Sequence, residues 1–426
     1  MDSFMSPTAT ITAEAAAGKL WDAVVIGAGP AGCMTARELA RSGCDVLLLE
    51  AKRFPRPKVC GGCINNHAVE LLNQCGLESL IPDSGAIPLH EFRLQLPGWN
   101  PRYELPSGWS LTRATFDSLL LAGTLSAGVS YLDQATGKLD ETIAAGWRTV
   151  RIEHEAGTFD VRGRVVVCAE GLSRSSMRHA PEFDVHVSND AFVGAGVIVP
   201  ASDVPNELRE VAPQGTVTMA VGNGGYVGLT QAEHGQYSLG AAVRPSLIKE
   251  ERSLGAAVVR LLRSSGLADA PQLANHSWHG TPLLKSRPQR PGGERVFLVG
   301  DSAGYVEPFT GEGMAWAIEG GLSLAPIIRT GVERWSADLS RQWDQVYRRR
   351  IRRSQWICRG FLQALHRPGL GRVAVAVFKR FPRAADRIIA AINRPVRSPP
   401  IGRQGPDLTP ISGRQGPDST GNGFNE

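Results

Sequence analysis

One six-residue turn limits this chain more than anything else in it. Gly27-Ala28-Gly29-Pro30-Ala31-Gly32 follows an apolar run at residues 22–26 and opens a helical stretch at residues 31–41. Gly-x-Gly-x-x-Gly between a buried strand and a helix is the fingerprint of a Rossmann-type dinucleotide fold. Each glycine has its own task. Gly27 permits the tight turn, Gly29 lets a diphosphate reach the backbone, and Gly32 lets helix and strand close up. The helix start then turns free N–H groups and a partial positive charge toward the phosphates. The next apolar run, Val46–Leu49, ends at Glu50, with Ala51 beside it. A carboxylate about 20 residues past the turn accepts hydrogen bonds from a ribose diol and repels a 2′-phosphate, which argues against NADP.

A second signal lies far downstream. Val296-Phe297-Leu298-Val299 reads as another buried strand and runs into Gly300-Asp301-Ser302-Ala303-Gly304. Pro308, Gly311, Glu312 and Gly313 follow, then a helix from about Met314. An Asp on a strand-end glycine turn, backed by a second helix N-terminus, suits the ribityl arm and electron-rich ring of a flavin. Coupled to the first turn, it selects FAD over NAD.

Between the two signals the texture alternates. Residues 165–169 return to the buried-strand type, whereas residues 89–111 and 192–284 break into short runs punctuated by Gly, Pro and Asn, as antiparallel strands do. Helices are expected at residues 67–75 and 116–127. The fold class is therefore α/β (α+β overall), a Rossmann-type FAD-binding domain with an inserted antiparallel β-sheet domain and a C-terminal helical segment. Residues 1–18 are expected to be a flexible lead-in. Residues 19–88, 112–185 and 285–335 would form the discontinuous FAD-binding domain, and 89–111 with 186–284 the substrate-binding β-domain. Helices take up 336–395, with Trp343, Tyr347, Ile351, Cys358 and Leu365 on one face and a break at Pro368-Gly369 before an apolar-basic stretch at 373–392. Residues 396–426, polar and carrying Gly-Arg-Gln-Gly-Pro-Asp twice, are expected to be a disordered tail.

Composition removes several classes. The 426 residues, 42% hydrophobic, suit two domains with a substantial core. The net charge of +5 comes largely from Arg348-Arg349-Arg350-Ile351-Arg352-Arg353, one segment with no nucleic-acid reading module around it. That basic helix is expected to present a solvated face, with peripheral contact to anionic lipid as the alternative. Seven cysteines, an odd number, fit reduced thiols and a cytoplasmic setting. Residues 1–18 lack signal-peptide features, and no run reaches the ~18 apolar residues of a membrane span. The histidines and Cys60-x-x-Cys63 lack further ligands at metal-site spacing, so no metal is expected.

With these residues in view, the chain resembles the FAD-dependent family of p-hydroxybenzoate hydroxylase-like monooxygenases, flavin halogenases and geranylgeranyl reductases, from about residue 20 to residue 335. The resemblance implies that Asp301 binds the ribityl hydroxyls and that Arg113, ahead of Phe116-Asp117, lies against the FAD phosphates or ribose. The family's Ala-Asp-Gly-x-x-Ser-x-x-Arg motif stands here as Ala169-Glu170-Gly171 with Ser173, Ser175 and Arg178, so only the turn at Gly171 carries over. Phe54-Pro55-Arg56-Pro57-Lys58-Val59-Cys60-Gly61-Gly62, Gly304 and Gly311-Glu312-Gly313 resemble the geranylgeranyl reductase branch, which hydrogenates C=C bonds of prenyl chains. In that branch the Cys-Gly-Gly loop runs beside the flavin ring, which puts Lys58, Cys60 and Gly61 at the cofactor. The branch's Tyr-x-Trp-x-Phe-Pro substrate motif is missing; the stretch nearest to it is Gly225-Tyr226-Val227-Gly228-Leu229-Thr230. The halogenase motif Trp-x-Trp-x-Ile-Pro is missing too.

The expected reaction is reduction of a C=C bond in a hydrophobic, isoprenoid- or polyketide-like substrate by hydride from N5 of the reduced flavin. An external donor (NADH, NADPH or ferredoxin) would reduce the FAD, because the candidate for a second nucleotide-binding turn, Gly194-Ala195-Gly196, sits in strand-like sequence with no helix after it. Cys60 is expected to line the pocket and Cys63 to pack. Tyr226 is read either as a proton donor or as a packed strand tyrosine, and Lys58 as a cofactor anchor or a solvated loop residue. Two other readings stay open: a flavin monooxygenase acting on an aromatic or polyketide substrate, and an FAD-binding protein without turnover.

Overall fold

The computed structural model describes residues 6–366, apart from 145, 188–190, 285 and 308–310. Its first layer is a parallel sheet of apolar strands: Leu20–Ile26, Val46–Leu49, Ser130–Leu132, Gly157–Cys168 and Val296–Leu298. Numbered by position in the chain, these lie side by side as 3-2-1-4-5. The order reverses between Leu20–Ile26 and Gly157–Cys168, and the carboxyl ends of strands at such a switch point leave a crevice for a ligand. The strands are buried on both faces, Val24, Val25, Leu47, Leu48, Val166 and Val167 all at 0% exposure, which is why they read as continuous apolar runs. A hairpin, Thr136–Ala144 and Trp147–His154, extends the sheet antiparallel from Gly157–Cys168.

A second sheet runs His279–Leu283, Val193–Pro200, Gln236–Val243, Gly225–Ala232, Thr216–Gly222, Glu91–Gln95, Arg102–Glu104. Its strands pair antiparallel, as expected, but for one pair, and helices interrupt them. Thr216–Gly222 pairs parallel with Glu91–Gln95, a partner from far upstream. Three helices also interrupt the stretch, Asn206–Val211, Pro245–Glu251 and Leu254–Ser264. The last packs its apolar face (Ala257, Val258, Leu261, Leu262) with Val227, Leu239 and Val243 of the sheet. Its start was marked in the sequence by Ser253, whose side chain accepts the Ala256 N–H.

Within residues 10–18, part of the expected lead-in, Ala16 is buried and Thr10 meets the parallel sheet. Thr10 exchanges hydrogen bonds with Tyr131, its N–H donating to the Tyr131 carbonyl at 2.9 Å and its hydroxyl accepting the Tyr131 N–H at 2.8 Å. A short helix, Ala13–Ala17, then receives the Trp21 indole N–H on the Ala16 carbonyl at 2.9 Å. Thr10 thereby takes up backbone groups of the edge strand Ser130–Leu132.

After the long helix Glu312–Glu333, the chain continues as Asp338–Tyr347, a wider turn at Arg348–Arg352, and Arg353–His366. Trp343, Tyr347, Ile351 and Cys358 are buried along the expected face. The side chain of Leu365, the break at Pro368-Gly369, the 373–392 stretch and the tail lie outside the described residues. These helices brace the downstream loop. The Trp343 indole donates to the Leu298 carbonyl at 3.0 Å, the Tyr347 hydroxyl to Gly304 at 3.3 Å, and the Cys358 thiol to Glu307 at 3.2 Å. No helix among the described residues is long and apolar enough to cross a membrane. Trp343→Ala is expected to cost about 3–5 kcal/mol of stability, seen as an earlier urea midpoint with an unchanged slope.

Candidate functional site

The glycine turn takes its shape from contacts that only hydrogen can fit. Gly27 sits at φ +105°, and a Cβ there would meet the Ala169 carbonyl at 2.7 Å; one on Gly32 would lie 1.9 Å from the Gly27 carbonyl. The two adjacent strand ends are thus locked at the switch point. Helix Pro30–Arg41 begins at Gly29 with no side-chain cap, so its N-terminal N–H groups face the cavity. A Cβ on Gly29 would have only Arg56, 3.9 Å away, near it. Room and donors are both left for a diphosphate.

Glu50 is buried and faces the same space. Its oxygens accept the Ala28 N–H at 3.0 Å, the Lys52 N–H at 3.1 Å and an Arg56 nitrogen at 3.2 Å. Ala51 lies beside it on the wall. The middle turn adds Gly171 at φ +73°. Glu170, standing where the motif has Asp, folds its longer arm back over Ser175–Met177, accepting from the Ser175 hydroxyl at 2.7 Å and from Ser176.

Downstream, Gly300 packs so tightly on the first helix that a Cβ would meet the Ala31 Cβ at 2.9 Å, and the Ser302 hydroxyl donates to the Gly171 carbonyl at 3.0 Å. The two far-apart signals therefore share one cavity, of about 610 Å³. That volume lies within the usual range for ligand sites. Helix Glu312–Glu333 starts at Gly311 (φ +88°), again with no side-chain cap. Gly311 and Gly313 are on the wall, with Asp301 and Gly300. Gly32 and Glu312 are buried behind it, and Pro308 is outside the described residues.

A charge network missed in the sequence joins these pieces. Asp117, fully buried, takes two bonds from Arg113 at 2.7 and 2.8 Å and one ion pair from Arg56 at 3.2 Å. The Arg113–Asp117 pair was legible as an i, i+4 spacing on a helix; Arg56, from a loop, was not. Burial pushes the Asp117 carboxyl up, but Arg113, Arg56 and Lys58 together hold it below the usual carboxylate range. Burial, with Arg113 and Arg56 nearby, pushes the Lys58 ammonium down. Burial raises the Asp301 carboxyl, and Lys58 and Arg113 only partly offset this.

The Lys58–Gly62 loop crosses the large sheet. It can lie that low because Gly240 has no side chain: a Cβ there would strike the Gly61 nitrogen at 2.8 Å. Lys58, Cys60 and Gly61 face the cavity, and so does Cys63, which was expected only to pack. Both thiols are free, and burial raises that of Cys63. Beyond the loop the cavity runs onto Val217, Met219, Leu229, Leu89 and Phe92, with Tyr226 among them.

Asp117→Asn strips Arg113 of its carboxylate and is expected to destabilise the protein at pH 7 by about 3–5 kcal/mol, read from urea unfolding. Because the native carboxyl is held below its ordinary value, Asp117's contribution is complete above about pH 4. It fades as pH falls through the lower native value, so the unfolding midpoints of parent and variant should converge in acid.

Residues 21–333 match the FAD binding domain family. The chain is 30% identical to digeranylgeranylglycerophospholipid reductase 2 of Methanopyrus kandleri over 328 residues, 74% of this chain and 78% of that one. It is 25% identical to a menaquinone reductase of Mycolicibacterium smegmatis over 342 residues, 73% and 76% of the two chains. In structure it resembles a flavoprotein/dehydrogenase from Cytophaga hutchinsonii (TM-score 0.74, 16% identity, 88% and 93% covered). It also resembles p-nitrophenol 4-monooxygenase of Pseudomonas putida (TM-score 0.67, 16% identity, 88% and 96% covered). A glycine turn at a sheet's switch point, two uncapped helix starts on one cavity and these matches agree: the chain belongs to the FAD binding domain family and is an FAD-dependent oxidoreductase of the kind that includes geranylgeranyl reductases.

Proposed function

We propose that the protein reduces a C=C bond of a hydrophobic, isoprenoid-like substrate. The observation that carries this reading is the continuity of the cavity from the two glycine turns onto an apolar sheet floor, Val217, Met219, Leu229, Leu89 and Phe92. A greasy chain gains about 25 cal/mol for each Å² it buries there. The sequence relatives named as reductases of a digeranylgeranylglycerophospholipid and of menaquinone point the same way.

Bound FAD, once reduced by an outside donor such as NADH, NADPH or ferredoxin, supplies a hydride equivalent. The chain's own residues supply the rest. The start of the Pro30–Arg41 helix and Arg113 would hold the diphosphate and ribose end, with Glu50 for the ribose diol. Asp301 and the start of the Glu312–Glu333 helix would hold the ribityl arm, and Lys58 and the Cys60–Gly61 loop would serve the ring. Tyr226, 6% exposed on the cavity wall, completes the reduction by giving its proton to the other alkene carbon. Its phenol carries its proton at neutral pH, as an ordinary tyrosine does; burial, with Glu307 and Tyr305 close by, raises it further, so the proton leaves only as charge develops on the alkene carbon. The apolar floor excludes water from the same space.

Holoprotein reduced anaerobically with dithionite, freed of excess reductant and mixed with a polyprenyl alcohol, should reoxidise while the alcohol gains two hydrogens by mass spectrometry. Reduced protein that leaves the alkene untouched, yet hydroxylates an aromatic compound on an oxygen pulse, would make this a monooxygenase instead. Tyr226→Phe should slow alkene reduction about 10²-fold without weakening FAD binding; equal turnover would place the proton donor elsewhere.

A further inference from the structure

Glu233 stands at the turn between Gly225–Ala232 and Gln236–Val243, the central hairpin of the large sheet. Its carboxylate nonetheless serves the other layer. One oxygen accepts the Thr112 hydroxyl at 2.5 Å and the Thr115 hydroxyl at 2.6 Å; the second accepts the Thr112 N–H at 2.9 Å. Thr112 is the cap of helix Arg113–Leu125, so a residue 121 positions away closes the start of the helix that carries Arg113. Glu233 is 3% exposed and is not part of the cavity wall. A carboxylate buried this deeply is costly unless several donors and a favourable field meet it. Here three donors and the positive end of the helix do so.

The same joint reaches the Cys-Gly-Gly loop. The Leu111 N–H, one residue before Thr112, donates to the Gly62 carbonyl at 2.9 Å, and the Ser238 hydroxyl, on the hairpin's return strand, donates to the Cys60 carbonyl at 3.3 Å. Hairpin, loop and helix start therefore meet where Arg113 leaves the backbone.

We infer that Glu233 is a positioning residue: it fixes the first turn of the Arg113 helix against the substrate-side sheet and so sets the Arg113 guanidinium at the cofactor. The inference rests on the reading that Arg113 faces the FAD phosphates or ribose.

The test is a double-mutant cycle on the full chain, stripped of FAD and titrated with it, the dissociation constant being read from flavin fluorescence. Glu233→Gln should weaken FAD binding about tenfold with Arg113 present and less than about twofold in the Arg113→Ala background, because the two residues act through one contact. Thr115→Val, which removes one donor, should give a smaller loss of the same pattern and serves if Glu233→Gln does not fold. An equal penalty with and without Arg113, or none in either, overturns the inference. If Arg113→Ala itself leaves FAD affinity unchanged, the cofactor role of Arg113 falls and the inference falls with it. If Arg113→Ala weakens binding but the Glu233 and Thr115 variants do not, only the inference falls.

Discussion

The closeness of three strand-end turns governs this structure. Gly27 meets the Ala169 carbonyl, Gly32 meets Gly27, Gly300 meets Ala31, and Ser302 bonds to Gly171. The three glycine approaches are too tight for a side chain, so at those points the cradle is backbone, and the Ser302 hydroxyl ties the third turn to the second. Backbone N–H groups and helix termini are the fittest partners for a diphosphate, since they present a fixed positive field without a mobile charge. Strands with buried apolar ends bring the turns to one level by pairing in register behind them.

On that cradle lies a second tier of charged side chains. Asp117 collects Arg113 and Arg56, Arg56 also reaches Glu50, and Lys58 and Asp301 influence one another across the cavity. Buried ion pairs contribute little net stability. Their value here is orientation, because a guanidinium clamped by a buried carboxylate loses little further freedom on meeting a phosphate. A third tier, the large sheet, supplies the apolar floor and reaches back through Glu233 and Ser238 to hold the first two. The glycine-turn cradle and the apolar floor are thus tied together by hydrogen bonds.

Much of this was legible along the chain. The two glycine turns, the strands behind them, Glu50, and the buried face of Trp343, Tyr347, Ile351 and Cys358 all rest on local periodicity and local backbone demands, which sequence carries directly. Arg113 and Asp117 sat at helical spacing and could have been paired. Ser253 announced a helix that the surrounding Gly and Pro masked. Other features had no local signature. Nothing near Arg56 indicates Asp117, nothing near Glu233 indicates Thr112, and the parallel pairing of Glu91–Gln95 with Thr216–Gly222 joins segments more than a hundred residues apart. Thr10 and Tyr131 likewise find each other only at a sheet edge.

By itself, then, the sequence determined a dinucleotide cradle and the cofactor class, because these depend on which residues lack a side chain and on which runs must be buried. Only the tertiary structure decided which charges line the cavity, what apolar floor continues from them and how the two sheets are fastened. Those contacts are made by residues that are ordinary in their own neighbourhoods and become specific only when folding brings a distant partner within hydrogen-bonding distance.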